Sequence, residues 1–405
     1  MDQESVSANS SRSLRALVFC PPTAESFVVG SLEMTERWQL GLSRWGAAPE
    51  KWSTTAELLR RLDTSHPTLI AWGNWAADPL ATEEMISQAS DSCAPDEIIS
   101  FIVPGMPLAP LLCVGHEAAR LFQAIPAVEM GDGSDTLLAQ IKQQYPDAAI
   151  QIRQIVLKAG HWSLVQSHRD AKRATWKMLW QLQWRPGGIV AKYLNRPLSI
   201  PLSYLLMNTP VTPNMTTFFA FIVGAAGIVA LFLGGYWNVV IAGVLLQANS
   251  IIDGIDGELA RIRLKTSEFG AYFDSVCDEI LNALLFIGIG YDLTRVTGAP
   301  VYLWVGVFSG IMAFLYSLTH WHCKWKHGLG LYWWFEAYRP RKQVQQSTSF
   351  FSYFKKLFWK ESYLFIFMVT AFFSFHQLLL WIALPAASAV FVLLFIHVFI
   401  KRARW

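Results

Sequence analysis

Charge is what this sequence has least of. Lys, Arg, Asp and Glu make up 16% of its 405 residues, well below the ~25% of an ordinary soluble domain. The formal net charge is only +3, which excludes a nucleic-acid partner held by a strongly basic face. Cysteine is sparse as well: Cys20, Cys93, Cys113, Cys277 and Cys323 are scattered, with no C-x-x-C pair. That argues against a disulfide framework and for free thiols in a reducing compartment. No stretch repeats. The opening MDQESVSANSSRSLR is polar and has no apolar run beside Met1, so no secretory signal is expected there.

What the chain has in abundance is apolar sequence, 53% of residues, unevenly spread. Residues 1–13 read as a disordered tail. Over 14–165, LRALVFC, TLIAW, EIISFIV and IQIRQIVL read as buried strands, while MTERWQLGLSRWG, TTAELLRRL, ATEEMISQAS and DTLLAQIKQQY read as helices. This alternation predicts an α/β domain with a largely parallel sheet. Residues 166–208 read as a juxtamembrane linker. Its DAKRATWKMLWQLQW (170–184) is a basic amphipathic helix with Trp176, Leu179 and Trp180 on one side, ended by RPGG. Such a helix suits an anionic membrane surface.

From 209 to 405 apolar runs of about 20 residues recur, the length a bilayer requires. Helices are expected at 213–234, 237–262, 269–294, 300–322, 361–377 and 379–399, an all-α domain of six spans. Basic residues gather before the first span (Arg169 to Arg196), in the second turn (Arg261, Arg263, Lys265), between the fourth and fifth spans (Lys324 to Lys360) and in the tail (Lys401, Arg402, Arg404). The opposite side has Arg295. The positive-inside rule then puts both termini and the α/β domain in the cytoplasm, with a multi-pass protein in the inner membrane.

Within this apolar half, residues 253–278 read DGIDGELARIRLKTSEFGAYFDSVCD. Asp253 and Asp256 are three apart and share a helix face; Asp274 and Asp278, four apart, share a face of the next. If the two helices pack antiparallel, all four carboxylates converge. Acidic groups in membrane segments are costly and mark function by default. Four of them together call for cations, and a pair of oxygen-ligated divalent ions is the natural match. Gly257, Ala260 and Gly270 strip side chains from the wall beside them, and Arg261 offers a fork for a phosphate. A structural charge network and an ion pathway in a transporter fit the same charges.

The spacing discriminates among these. Asp256-Gly257-Glu258-Leu259-Ala260-Arg261, eight residues, Gly270, three residues, Asp274, three residues, Asp278, with Asp253 upstream, resembles the signature of the CDP-alcohol phosphotransferase family at every fixed position. The resemblance extends over about 190–400 and includes Thr212-Pro213-Asn214, the TPN that opens the first span in many members. It implies a transferase that replaces the CMP of a CDP-alcohol with a second alcohol. Asp253, Asp256 and Asp274 would hold two Mg²⁺ or Mn²⁺ with a contribution from Asp278, which would also be the general base. Gly257, Ala260, Arg261, Gly270 and Asn214 would line the substrate. The donor would be CDP-diacylglycerol or a CDP-inositol-like compound, the acceptor a polyol or polyol phosphate, and the setting membrane lipid. Members of the family are often dimers through the membrane domain. The competing expectation is a non-catalytic transporter or scaffold that kept the acidic site.

The run YLNRPLSIPLSYLLMNTPVTPN (193–214) resembles the junction of bifunctional proteins that join a sugar-nucleotidyltransferase-like domain of GT-A/Rossmann-like fold to such a membrane domain. In those, the soluble half makes CDP-inositol. That chemistry needs a G-x-G-x-R loop with a following lysine. Here CPPTAESFVVGSLEMTER has neither G-x-G nor lysine, and TLIAWGNWAADP offers Asn74 and a displaced Asp78. The soluble domain is therefore expected to be a degenerate scaffold. Three weaker signals read blandly: GDGSD (131–135) as a turn and helix cap, HWHCKWKH (320–327) as a wet interfacial cluster, and YRPRK (338–342) as positive-inside bias.

Overall fold

The computed structural model describes residues 15–19, 27–44, 48–52, 62, 68–72, 75–77, 92–103, 111–124, 143, 151–156, 162–184, 188–327 and 360–395. GDGSD and YRPRK, and the helices expected in TTAELLRRL, ATEEMISQAS and most of DTLLAQIKQQY, lie outside them. The chain divides into two compact units, Met1–Leu182 with Ile262–Leu264, and Gln183–Arg261 with Lys265–Trp405.

The first unit is built on a six-stranded sheet. In chain order its strands are β1 (Arg15–Phe19), β4 (Ala48–Trp52), β5 (Thr68–Trp72), β7 (Glu97–Ile102), β8 (Leu111–Val114) and β9 (Gln151–Val156), arranged β4-β1-β5-β8-β7-β9. Leu17, Leu69, Ile70, Ile98, Phe101 and Leu112 are completely buried in it. The expectation of a largely parallel sheet needs correction: β8 runs antiparallel to both β5 and β7, so the sheet is mixed. Only residues 103–110 separate β7 from β8, too few for the crossover of a dozen or more residues that a parallel pair requires. β9 is also not buried as expected. It is an edge strand, exposed or half-exposed along its length, and its Arg153 pairs with Glu97 at 2.7 Å.

A short hairpin, β2 (Val28–Val29) and β3 (Leu32–Glu33), leads into α1 (Met34–Arg44). Its two-residue turn holds Gly30 at φ +61° and Ser31 at φ +67°, the left-handed pair that a tight hairpin demands. Opposite, β6 (Trp75–Ala77) pairs with β10 (Trp162–Leu164), burying Trp75 and Trp162 completely. Between them in sequence comes α2 (His116–Ala124). Then α3 (His168–Gln181) starts two residues earlier than expected because Ser167 caps it, accepting from the Asp170 amide at 3.2 Å. Its last turn, Leu182–Trp184, tightens to a 3-10 helix. Trp176 and Trp180 share the outer face with rings stacked 5.8 Å apart. Leu179, expected on the same side as the two tryptophans, is instead fully buried with Ala174, Thr175 and Met178. One residue turns a helix by about 100°, enough to move it from one face to the other.

The second unit is helical. A π turn (Ala191–Asn195) runs into α4 (Arg196–Leu206), a segment whose helicity the junction motif did not suggest. There follow α5 (Pro213–Leu233), α6 (Tyr236–Ile262), α7 (Glu268–Thr297), α8 (Val301–His327), α9 (Lys360–Phe372) and α10 (Gln377–Phe395). Each matches one of the expected helices, with α9 ending earlier. Among the described residues α5, α6 and Val301–Leu318 of α8 are long and apolar enough to cross a membrane, with mean hydropathies of 2.3, 1.5 and 1.8. HWHCKWKH forms the last turns of α8, with its side chains outside the described residues. Helix boundaries follow local chemistry. Thr212 caps α5 with Pro213 at its first turn, Ser267 caps α7, and Gly298, at φ +74°, ends it.

The core of this unit is packed by Leu231, Leu285, Ile289 and Phe367, all completely buried. α7 and α8 meet closely at glycines. A Cβ on Gly306 would lie 2.5 Å from the Phe286 carbonyl oxygen, one on Gly310 2.7 Å from that of Ala283, and one on Gly290 would strike that of Tyr302. Small residues allow such backbone approach where no hydrophobic force drives helices together. At the end of α7 away from the aspartates, buried His376 and Asp292 pair at 3.1 Å, and Arg295 donates to the Leu233 carbonyl at 2.8 Å.

Candidate active site

Two helices carry the four aspartates: α6 holds Asp253 and Asp256, and α7 holds Asp274 and Asp278. Residues 263–267 alone separate these helices. One carboxylate oxygen each from Asp253, Asp256 and Asp274 lies within 4.8 Å of the others. Asp278 is not part of that trio. Its Oδ1 accepts from the ammonium of Lys360, which also sits 3.3 Å from Asp253 Oδ2. Lys360 therefore ties the fourth aspartate to the first three.

Supporting groups come from three further helices. From α5, Thr217 donates its hydroxyl to Asp256 Oδ2. Lys360 begins α9. α4 contributes Ser199 and Ser203, which donate to Glu258 Oε1 and Oε2, both at 2.6 Å. Glu258 is only 2% exposed. Higher on the same face of α6, Asn195 donates to Ser250 Oγ at 2.9 Å and accepts from Gln247 at 2.7 Å. Asn195, Ser199 and Ser203 are thus spaced i, i+4, i+8 along one stripe, facing Gln247, Ser250 and Glu258. This polar seam sets the rotation of α6, and with it the direction of Asp253 and Asp256.

The small residues lie where the spacing put them. The Arg261 guanidinium folds over Gly257, so that a Cβ there would meet its Nη2 at 2.9 Å. A Cβ on Gly270 would lie 3.0 Å from Asn214 Oδ1, which brings the exposed TPN asparagine beside the motif glycine. Ala260 is half-buried on α6. The donor set at the trio is oxygen throughout, the preference of Mg²⁺ and Mn²⁺ rather than of softer metals. Asp274 Oδ1 is buried with no hydrogen-bond partner. A buried carboxylate oxygen with no donor is expensive, and a divalent ion would satisfy it. The residues fit the metal that the motif implies.

Lys360, Thr217 and Glu258 were not singled out in the sequence. Lys360 reads there as one more loop charge, and Thr217 as an ordinary helix residue. Glu258 occupies a freely varying position of the motif. The i, i+4, i+8 spacing of Asn195, Ser199 and Ser203 was the one visible signal, masked by the prolines at 197 and 201.

A bundle of apolar helices holding an all-oxygen carboxylate cluster is the frame of a membrane protein whose polar site could hold a cation. Comparison narrows this class: residues 210–389 match the CDP-alcohol phosphatidyltransferase family. A bifunctional IPC transferase and DIPP synthase of Thermococcus kodakarensis is 33% identical over 150 residues, covering 36% of this chain and 33% of that protein. A protein of the same name from Rubrobacter xylanophilus is 30% identical over 166 residues, 41% of this chain and 37% of that one. A CDP-diacylglycerol–serine O-phosphatidyltransferase of Helicobacter pylori is 31% identical over 98 residues, 23% of this chain and 41% of that protein. The chain thus spans well under two thirds of the length of each of these relatives.

Proposed function

We propose that the protein is an integral-membrane transferase that moves a substituted phosphate group from a CDP-alcohol to an alcohol acceptor with release of CMP. The observation that carries this reading is the carboxylate trio, within 4.8 Å, built from the family's motif residues. Asp253, Asp256 and Asp274 would hold two divalent ions, Mg²⁺ or Mn²⁺, with Asp278 contributing. Such ions, when bound, neutralise a diphosphate and stabilise CMP as leaving group.

The chain's own residues do the rest. Asp278 accepts the proton of the acceptor hydroxyl, whose oxygen bonds to the phosphorus bearing the donor alcohol. The bond from that phosphorus to the CMP oxygen breaks, and CMP departs. Gly257, Ala260 and Gly270 leave the wall bare for the nucleotide, Arg261 presents its fork to a phosphate, and Asn214 lies at the rim. The resemblance of the junction at 193–214 to that of bifunctional proteins whose soluble half makes CDP-inositol favours an inositol-type polyol as donor or acceptor alcohol; CDP-diacylglycerol is the competing donor.

In the same reading, the first unit is a degenerate nucleotidyltransferase-like scaffold. In support, residues 28–33, within the segment where a phosphate-binding glycine loop would fall, form a tight hairpin. The six helices α5–α10 would all be spans in an inner membrane, with both termini cytoplasmic and homodimerisation through them. α3 would rest Trp176, Trp180 and its basic residues on anionic headgroups. A reporter fused after Trp405 should read cytoplasmic; the opposite reading breaks the six-span count.

The test of function is CMP release by the purified chain with Mg²⁺ or Mn²⁺, offering CDP-diacylglycerol and CDP-inositol in parallel with a panel of polyols and polyol phosphates. Release with one donor, stopped by chelation and lost in Asp278→Asn, is expected. Silence with both donors, in folded protein, leaves the non-catalytic scaffold standing. The same preparation given CTP and inositol phosphate should make no CDP-inositol, and clear product would restore activity to the first unit.

A further inference from the structure

The carboxylate cluster holds a cation of its own. Lys360 donates to Asp278 Oδ1 and lies 3.3 Å from Asp253 Oδ2, reaching in from α9, a helix that carries none of the motif. All three side chains are largely withdrawn from solvent: Lys360 is 17% exposed, Asp253 23% and Asp278 19%. The ammonium therefore bridges one member of the metal-binding trio and the carboxylate outside it. It touches Asp253 through the kind of oxygen a divalent ion would need, and like charges at such range repel strongly where water is scarce.

We propose that Lys360 is a resident counter-ion of the site, neutralising Asp253 and Asp278 before metal arrives and exchanged off Asp253 when a divalent ion binds. This inference rests on the metal-binding reading above. Without Lys360, an empty site would force neighbouring carboxylates together with no cation, so the lysine keeps the metal-free protein folded. With it, every ion that binds must first displace an ammonium, so the lysine sets a threshold on metal affinity. Asp278 retains its lysine through the exchange, which keeps that carboxylate oriented while Asp253 turns to the ion.

Mn²⁺ binding to the full chain in nanodiscs, followed by electron paramagnetic resonance, tests the proposal. Lys360→Met should bind Mn²⁺ about tenfold more tightly than the parent, since the competing charge is gone. It should also melt at a lower temperature than the parent in EDTA and recover in saturating Mn²⁺, while Lys360→Arg should keep the parent's stability in EDTA. In the unaltered chain, acylation of Lys360 by an amine-reactive ester, read by mass spectrometry, should rise when Mn²⁺ is added. Equal or weaker Mn²⁺ binding by Lys360→Met, or acylation unchanged by Mn²⁺, overturns the proposal. If Lys360→Met does not fold, the acylation result alone decides. A parent that binds no Mn²⁺ removes the metal reading and the exchange together, whereas a parent that binds it with Lys360 unmoved removes only the exchange.

Discussion

Replacing Ser199 and Ser203 together by Ala should destabilise the second unit more than replacing Glu258, although each change breaks the same two hydrogen bonds. Each bond runs from a serine hydroxyl to a carboxylate oxygen at 2.6 Å. Hydrogen bonds to charged groups contribute ~1.5–3 kcal/mol in soluble interiors, but interhelical bonds in membrane proteins average ~0.6. Two bonds are therefore worth between about 1 and 6 kcal/mol, too wide a range to be useful alone. What decides the outcome is the group left behind. Glu258→Ala leaves two small hydroxyls that turn to their own helix carbonyls, and it removes a carboxylate that is 2% exposed and costly to bury. The serine double variant instead strands that carboxylate without donors, a defect worth about 3–5 kcal/mol. We expect about 2 kcal/mol lost for Glu258→Ala, about 4 for the serine pair, and a triple variant close to Glu258→Ala alone. Reversible unfolding in mixed micelles, run as a mutant cycle, measures all three. A triple variant equal to the sum of its parts, or a serine pair within ~0.5 kcal/mol of the parent, would show that the seam carries no coupling.

Two further substitutions probe the same unit. Thr217→Val keeps shape but removes the donor to Asp256 Oδ2. Mn²⁺ affinity should fall 10–100-fold, as for other outer partners of metal ligands, and Thr217→Ser should restore most of it; unchanged affinity by resonance titration would mean Asp256 needs no such support. Gly306→Val would drive a branched side chain into the Phe286 carbonyl, 2.5 Å from the position of its Cβ. A loss of about 2–3 kcal/mol is expected from overpacking, read as a lower melting temperature, and an undisturbed melt would show that α7 and α8 can part at no cost.

The aspartates were legible in the sequence because their chemistry depends on spacing within two helices, and spacing is what a sequence displays. The helices of the second unit were legible for a similar reason, since runs as long and apolar as α5, α6 and Val301–Leu318 of α8 stand out in composition whatever the tertiary detail. Lys360 was not. It lies 82 residues from Asp278 among other basic residues, and only packing of α9 distinguishes it from them. Glu258 was hidden by its setting, because an acidic residue inside a recognised motif looks exposed until α4 is seen to cover it. In the first unit, the strands TLIAW and EIISFI stood out, but the reversed β8 between them did not. Four apolar residues carry no direction, and only the short connection from β7 fixes it. The outward Trp176 and Trp180 followed from their period, whereas Leu179 sits near the border of the two faces, where periodicity alone cannot assign a side.

The glycine contacts between α7 and α8 bear on how this fold could be redesigned. With backbone laid on backbone at Gly306 and Gly310, the two helices behave as one slab, and Asp274 and Asp278 are bolted to a surface two helices thick. An engineer seeking to widen the space around the carboxylates gains nothing by loosening that slab, because any shift would carry both aspartates away from α6. Room has to be carved from side chains on the other walls. The geometry thus separates a part of the protein that should be left alone from the parts in which a new specificity can be written.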